Sequence, residues 1–277
     1  MASQMAHSGR DEPASEDDEG PARAGDTGVK SARRTIELLE AFAADHAWIS
    51  LTELHARTGV PRSSLHGLLR TLRDAGWIEA DDAGTRFRLG VRALICGTAY
   101  LDRDPATPHA TWALERIREH TGFTSHYARR YGDQVVYLET RESRRSRHLV
   151  SRVGRTLPAY ATALGKALLA ELTDAEITGL MPTRLSPLTE STITSREALC
   201  ADLAVVRARG YAVEHEEGTP GVACVAAVVP YRIPGTDAVS CSMPVAGITK
   251  TTIPEVGAFL RQAADALGQE LRRAGIR

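Results

Sequence analysis

Three signals in a fixed order restrict how the first third of this chain can fold. Ser50-Leu51-Thr52-Glu53 is a capping box, in which the Ser50 hydroxyl accepts from the Glu53 amide and the Glu53 carboxylate accepts from the Ser50 amide. Gly59 tolerates the left-handed backbone that ends a helix, and Pro61 suits the first turn of the next helix. Two helices joined by a very short turn are predicted, which is the layout of a helix-turn-helix.

The residues on either side of this pair predict the rest of a small domain. An amphipathic helix begins near Ser31, and the helix after Pro61 repeats leucine at i, i+3, i+4 and i+7 until Gly76. Two short strands then flank the turn 81–84, with apolar and basic residues alternating in the second strand. This hairpin is typical of the wing of a winged helix-turn-helix, with Phe87 and Leu89 facing the helices.

The face of the third helix opposite its leucines is rich in hydrogen-bond donors. In a helix-turn-helix this helix enters the major groove, where arginines read guanine edges or bind phosphate and hydroxyls hold phosphate oxygens. The alternative is an ordinary solvated face, but a wing in register after a capped helix pair favours DNA. The predicted contacts on this helix and the wing are Pro61, Arg62, Ser63, Ser64, His66, Gly67, Arg70, Arg86 and Arg88.

The remainder of the chain mixes helices with short strands. After the linker helix 91–104, strands are expected at 125–131, 134–140, 148–153, 211–214, 222–229 and 238–245, with helices between them. Antiparallel strands flanked by helices indicate an α+β domain of the sensor type. A basic stretch, taken as an exposed face or a subunit contact, comprises Arg129, Arg130, Arg141, Arg144, Arg145 and Arg147.

Composition limits the remaining classes of protein. The 277 residues carry a net charge of -1, and residues 1–28 hold seven acidic residues against two arginines, which predicts a disordered acidic tail. The four cysteines form no CxxC pair, so no metal site or cofactor is expected and the thiols should be reduced. No apolar run could span a bilayer and no signal peptide is evident, which predicts a cytoplasmic protein without membrane contact.

Several motifs then resemble the isocitrate lyase regulator (IclR) family. In the first half these are Lys30-Ser31-Ala32-Arg33-Arg34, Gly59-Val60-Pro61-Arg62-Ser63-Ser64-Leu65 and Phe87-Arg88-Leu89-Gly90. In the second half they are the run 158–170, Gly210-Tyr211-Ala212-Val213 and 221–227, in the same order as in the family. The resemblance covers about residues 29–275 and adds Arg33 and Arg34 to the DNA contacts.

The resemblance implies an organisation and a function. The expected domains are the tail 1–28, a winged helix-turn-helix at 29–90, the linker helix 91–104 and a GAF-like effector-binding domain at 105–277. Such a chain forms homodimers that pair into tetramers on double-stranded operator DNA, and a small metabolite modulates that binding. We expect a repressor of catabolic genes, because a dimer bound near a promoter most simply blocks polymerase.

The expected effector is a small carboxylate, held in a mostly apolar pocket by convergent amides and hydroxyls. By resemblance its contacts are Ala163, Leu164, Glu214, Cys224, Ser240 and Ser242. The spacing of the two serines independently places them on one side of a strand. Glu214 stands where a shorter Asp is associated with sensors of glyoxylate type, so a different and larger effector is expected.

Three alternatives stay open on the sequence. The chain could be an activator of the same family, or a DNA-binding regulator that has lost its ligand response. It could also be an enzyme with Cys224 as nucleophile and His126 or His215 as base, although no recognised Cys/His signature supports this. A further reading of Cys224 is a buried structural cysteine. Lys166 could bind the anion of the effector, or could equally form a salt bridge or be solvated.

Overall fold

The computed structural model describes residues 28–44, 47–143 and 153–277. Backbone contacts divide the chain into two compact units between Ile95 and Cys96. The acidic tail lies outside the described residues, and so do Arg144, Arg145, Arg147 and nearly all of the strand expected at 148–153.

The first unit contains three helices and a small antiparallel sheet. Its helices are α1 Lys30–Ala43, α2 Leu51–Thr58 and α3 Arg62–Asp74. Its strands are β1 Ile49–Ser50, β2 Ile78–Ala80 and β3 Arg86–Leu89, in the order β1-β3-β2. The predicted helix-turn-helix and wing are confirmed, and the sheet gains β1, which pairs Ile49 with Phe87.

Local contacts explain where these elements begin and end. The capping box at α2 is formed, since Ser50 N donates to Glu53 Oε2 at 2.7 Å and Glu53 N donates to Ser50 Oγ at 3.3 Å. Gly59 ends α2 with φ +67°, in the left-handed region. Pro61 is the N-cap of α3, one position before the first turn in which it was expected. A single core contains Leu38, Phe42, Ile49, Leu54, Val60, Leu65, Leu69, Leu72, Ile78 and Phe87.

The second unit is built on a six-stranded antiparallel sheet. Its strands are β4 Thr124–Tyr131, β5 Gln134–Arg141, β6 Thr156–Pro158, β7 Ala212–His215, β8 Val222–Val228 and β9 Asp237–Pro244. Their order is β6-β5-β4-β9-β8-β7. The two strands central to the order, β4 and β9, are distant in sequence but pair closely, with His126 opposite Ser240 and Arg129 opposite Asp237.

Helices cover both faces of this sheet. They are α4 Val91–Arg103, which continues across the division between the units, α5 Thr107–Thr121, α6 Ala163–Leu169, α7 Asp174–Leu180, α8 Arg196–Arg209 and α9 Thr252–Arg273. One core packs α6 and α8 on one face, and a second core packs α5 and α9 on the other. Alternate residues of a strand enter opposite cores, as Tyr127 and Ala128 do on β4. The expected α+β class is therefore confirmed.

Two expectations about this unit are wrong in detail. The Ala/Leu-rich run predicts a helix from about Ala161 to Leu172, but α6 covers only Ala163–Leu169 and is preceded by a 3-10 turn at Ala159–Ala161. Arg129 does not lie on an exposed basic face. It is largely buried and forms ion pairs with Asp104 and Asp237, because both carboxylates are buried beside it.

Candidate DNA-binding face and effector cavity

The outward face of α3 presents most of the predicted DNA contacts to solvent. Leu65, Leu69 and Leu72 are buried against the core, which turns the opposite side of the helix outward. The exposed residues on or next to this helix are Pro61, Arg62, Ser63, His66, Gly67 and Arg70. Side chains of this kind can donate to base edges and phosphate oxygens without rearrangement of the core.

Two other predicted contacts are engaged with each other. Arg34 Nη1 on α1 donates to Ser64 Oγ on α3 at 3.2 Å, in a partly buried setting. This bond ties the first helix to the start of the recognition helix. Ser64 therefore already has a partner within the protein, whereas the neighbouring Ser63 is exposed.

The two arginines of the wing differ in the same way. Arg88 lies opposite Glu79 in the sheet, donates to its carboxylate at 2.8 Å and stacks over the Trp48 ring at 4.5 Å. Arg86 is exposed, and its guanidinium forms no hydrogen bond or ion pair with any described residue. Arg86 is the wing cation available to a phosphate.

In the second unit, one cavity of about 120 Å³ brings together all six predicted effector contacts. It lies between α6 and the sheet, on the face that also packs α8. The other residues lining it are His126, Tyr137, Arg155, Leu157, Ala161, Thr162, Gly218, Thr219 and Val222.

A row of hydrogen bonds crosses the floor of this cavity. Cys224 Sγ lies 3.2 Å from Ser242 Oγ, which lies 3.1 Å from His126 Nε2. His126 Nδ1 in turn lies 3.1 Å from Thr140 Oγ1. Strand register produces the row, since Glu214, Cys224 and Ser242 are direct neighbours on β7, β8 and β9.

The start of α6 closes the cavity from above. Thr162 caps the helix by accepting from Gly165 N at 2.9 Å, so this amide is not available to a ligand. Gly165 packs so tightly that a Cβ atom there would lie 2.1 Å from the Ala159 carbonyl oxygen. With seven residues, α6 is also shorter than the helix from which a favourable dipole was expected.

Lys166 does not face the cavity. Its side chain is 1% exposed, and Nζ lies 2.7 Å from Glu217 Oε1 and 2.9 Å from Asp202 Oδ2. Glu217 N donates to Glu214 Oε2 at 2.9 Å, so the ion pairs fix the loop after β7 that holds the cavity's own carboxylate in place. Of the three possibilities for Lys166, which were an anion partner, a salt bridge or a solvated side chain, the structure shows the salt bridge.

Burial sets the protonation of the cavity groups. It lowers the pKa of His126 to about 4, with a smaller contribution from the Arg155 charge, so the imidazole is neutral at neutral pH. Burial raises the pKa of Glu214, opposed by its hydrogen bond with Cys224. Burial and then the nearby Glu214 charge raise the pKa of Cys224 well above its usual value.

This environment does not support a catalytic cysteine. A nucleophilic cysteine needs a lowered pKa and an adjacent base, whereas Cys224 has a raised pKa and is a protonated thiol. His126 Nε2 is bonded to Ser242 rather than to the thiol, and His215 is exposed on the strand that carries Glu214. Within the described residues, no group of three or more His, Cys, Asp or Glu side chains could hold a metal ion, and no helix could cross a membrane.

Both units of the chain match known protein domains. The IclR helix-turn-helix domain matches residues 31–82, and the bacterial transcriptional regulator IclR C-terminal domain matches residues 98–269. The regulator XynR of Escherichia coli is 34% identical over 202 residues, which cover 73% of this chain and 80% of XynR. The transcriptional repressor IclR of the same organism is 30% identical over 241 residues, 85% of this chain and 88% of the repressor.

A solved structure shows the same architecture. The IclR transcriptional regulator of Alicyclobacillus acidocaldarius superposes with a TM-score of 0.75 and 26% identity. The match covers 87% of this chain and 98% of the other. This chain belongs to the IclR family of bacterial transcriptional regulators.

Proposed function

We propose that this regulator is a repressor of catabolic genes whose operator binding is modulated by a small carboxylate metabolite. The DNA-binding domain is 29–90, the linker helix is 91–104 and the effector domain is 105–277. The protein acts in the cytoplasm as a homodimer that pairs into a tetramer. The name of one relative, a transcriptional repressor 30% identical to this chain, supports repression over activation.

The exposed donor face of α3 is the observation that carries the DNA-binding part. Arg62 and Arg70 flank His66 and Gly67 on this face, and none of these four residues contributes to the core. Arg70 is the proposed base-reading residue, and Arg86 on the wing is the proposed phosphate contact. Glycine at position 67 leaves open space in which the backbone of the helix can approach DNA closely, since no atom lies within 4 Å of the place a Cβ would occupy there.

Selection of bound duplexes from a random library, followed by anisotropy titrations at fixed salt, tests this assignment. Arg70→Ala should weaken binding to the selected sequence by about 1–3 kcal/mol and relax the preference at one base pair. Arg86→Ala should weaken binding to all sequences and reduce the salt slope by about one.

Arg73→Ala is the matched control for Arg70→Ala. Arg73 also lies on α3, but it is paired with Asp74 at 3.2 Å near the end of the helix. The control should change affinity little. If Arg70→Ala and Arg73→Ala bind the selected sequence equally well, Arg70 does not read DNA.

The cavity between α6 and the sheet carries the effector part of the proposal. Hydroxyl, thiol, carboxylate and guanidinium groups converge there beside apolar side chains such as Leu157, Leu164 and Val222, which is typical of a small-molecule site. Thermal-shift screening against a panel of metabolites, followed by operator titration with each positive compound, tests it. Release of DNA on binding indicates a repressor, and tighter binding with the effector indicates an activator.

A further inference from the structure

The cavity is polarised, with a single cation on one side and a single carboxylate on the other. Arg155 is the only Arg or Lys among the described residues that line it, and Glu214 is the only acidic residue. The Arg155 carbonyl accepts from Tyr137 N at 3.0 Å, which places Arg155 beside β5, whereas Glu214 lies on β7. Strands β4, β9 and β8 separate these two positions in the sheet.

The Arg155 guanidinium is not engaged by the part of the protein that the structure describes. It forms no hydrogen bond or ion pair with any residue in the described ranges, although its charge contributes to the lowered pKa of His126. A guanidinium presents a planar fork of donors that matches the two oxygens of a carboxylate. The open side of the cavity therefore has a charged group suited to an anionic end of a ligand.

The hydrogen-bond row determines what Ser242 can offer to that anion. Neutral His126 carries one N–H, and Ser242 has one hydroxyl proton. If Nδ1 holds the proton, Ser242 must donate to Nε2 and can present only lone pairs to the cavity. If Nε2 holds it, the imidazole donates to Ser242, Nδ1 accepts from the Thr140 hydroxyl, and the Ser242 proton can turn from Cys224 Sγ to an anion in the cavity.

At the other side of the cavity, Glu214 requires a hydrogen-bond donor on the ligand. Its Oε2 already accepts from Glu217 N, and a carboxylate retains further lone-pair sites. A hydroxyl on the ligand can donate to such a site, whereas a second carboxylate would be repelled. A ligand that reaches from Arg155 to Glu214 must combine an anion with a hydrogen-bond donor.

The volume limits the size of this ligand. The enclosed part of the cavity is about 120 Å³, less than the roughly 150 Å³ cavity that accommodates the six carbons of benzene, so it holds about five non-hydrogen atoms. This favours a compact effector over the larger one suggested by Glu at position 214. The longer side chain of Glu214 occupies part of the space instead.

We propose that the effector is a short hydroxycarboxylate, with its carboxylate between Arg155 and Ser242 and its hydroxyl at Glu214. His126 is the positioning residue, since its Nε2–H tautomer directs the Ser242 proton at the ligand. The proposal rests on the effector function proposed for the same cavity, and it adds two specificity residues, Arg155 and His126, to the contacts expected from the sequence.

Calorimetric titration of the full chain with matched probes tests the class of ligand. The two probes are glycolate and lactate. Glycolate is compared with acetate, which lacks the hydroxyl, and lactate with propionate. Each hydroxy acid is also compared with its own uncharged primary amide. At least one hydroxy acid should bind about tenfold more tightly than both of its analogues, because the deoxy analogue leaves the buried Glu214 carboxylate without a donor and the amide offers no anion to Arg155. The proposal is overturned if neither hydroxy acid binds, or if glycolate and lactate each bind no more tightly than their own analogues.

Variants assign the two ends of the ligand separately. Arg155→Met should abolish the preference for the acid over its amide, and Arg155→Lys should retain part of it. Glu214→Gln should reduce the preference for lactate over propionate, because the amide oxygen accepts from Glu217 N and the NH2 group is left facing the cavity. An Arg155→Met variant that still prefers the acid overturns the assignment of Arg155.

The tautomer of His126 can be measured by 15N NMR of protein that carries 15N-labelled histidine. The signals of His126 are those that disappear in the His126→Gln variant. The lactate complex should show the Nε2–H form, and an Nδ1–H form in that complex overturns the positioning role. The proposed function fails by a different readout, namely the absence of any DNA sequence selected by the wild-type chain. A chain that selects DNA but prefers the uncharged probes refutes only the ligand class.

Discussion

Arg129 binds both carboxylate oxygens of Asp237, with Nε and Nη2 each at 2.7 Å, and it donates to Asp104 and the Tyr100 hydroxyl with Nη1 at 2.8 Å. Asp237 is fully buried and also accepts from the hydroxyls of Tyr127 and Tyr231. Asp104 caps α5 by accepting from Thr107 N at 3.0 Å. One guanidinium thus joins β4, β9 and the segment between α4 and α5.

Arg129→Met should destabilise this sheet by about 3 kcal/mol, because it leaves a buried carboxylate without its counter-charge. Hydrogen exchange of the β4 and β9 amides measures the free energy of opening for this part of the protein. The adjacent Arg130→Met is the control, since the Arg130 guanidinium donates to the Gly132 carbonyl at 3.2 Å on the exposed surface. A similar loss of opening free energy in both variants would show that the ion pair of Arg129 with Asp237 does not stabilise the sheet more than a surface arginine does.

Gly165→Ala should destabilise the second unit by about 2 kcal/mol, since the added Cβ meets the rigid backbone at Ala159. In a calorimetric scan this corresponds to a decrease of roughly 4–8 °C in the midpoint of that unit. Gly179→Ala on the exposed face of α7 is the matched control, because a Cβ at that position would have no atom within 4 Å. The control should leave the midpoint unchanged or raise it slightly.

His126 should make the stability of the protein depend on pH between about 6.5 and 4. Its pKa is near 6.5 in the unfolded chain and about 4 in the folded protein, so the unfolded state binds more protons in this window. The contribution is complete above pH 6.5 and is lost as pH falls to 4, by about 3 kcal/mol.

Urea unfolding of the wild type and His126→Gln at pH 7 and pH 5 measures this contribution. The groups that face the imidazole are Arg155, Tyr137, Thr140 and Ser242, and all of them remain in the variant. The raised pKa of Glu214 also acts in both proteins and cancels in the comparison. A wild type that loses no more stability than the variant between these pH values would contradict the prediction.

Ser242→Ala should abolish the effector response while operator binding without effector is retained. The substitution interrupts the row between Cys224 and His126 and leaves the buried Nε2 atom without a partner, at a cost of about 1–3 kcal/mol. Operator titrations with and without a compound that shifts the wild-type response measure the effect. An unaltered response would place the effector site elsewhere.

The parts of the fold that local chemistry determines could be predicted from the sequence. Ser50, Glu53 and Gly59 define α2 through contacts within a few residues, and the leucine repeat defines the buried side of α3. The alternation in the wing likewise placed Phe87 in the core. The six effector contacts followed from a resemblance to a family, and only the pair Ser240 and Ser242 had independent support from spacing.

Residues that depend on long-range pairing could not be found in this way. The sequence indicates His126 only as a possible base for Cys224 and not as an effector contact, since this side chain reaches the cavity through the pairing of β4 with β9, whose residues lie far along the chain. Arg155 follows the segment 144–152 and carries no local sign of a binding role. From the sequence, Arg129 is predicted to lie on an exposed basic face together with neighbouring arginines. Its buried partner Asp237 lies on a strand distant in the chain, and no sequence pattern near Arg129 indicates that pairing.

The pairing of β4 with β9 gives two distant regions a common support. The paired residues His126 and Ser240 border the cavity. Arg129 and Asp237 pair three residues farther along the same two strands. On the opposite face of the sheet, Arg129 binds Tyr100 and Asp104. Three residues of strand span about 10 Å, and paired strands resist shear because every rung must shift together. A displacement of β4 at the cavity would therefore act on Tyr100 and Asp104 through Arg129 of the same strand, with no loop in between.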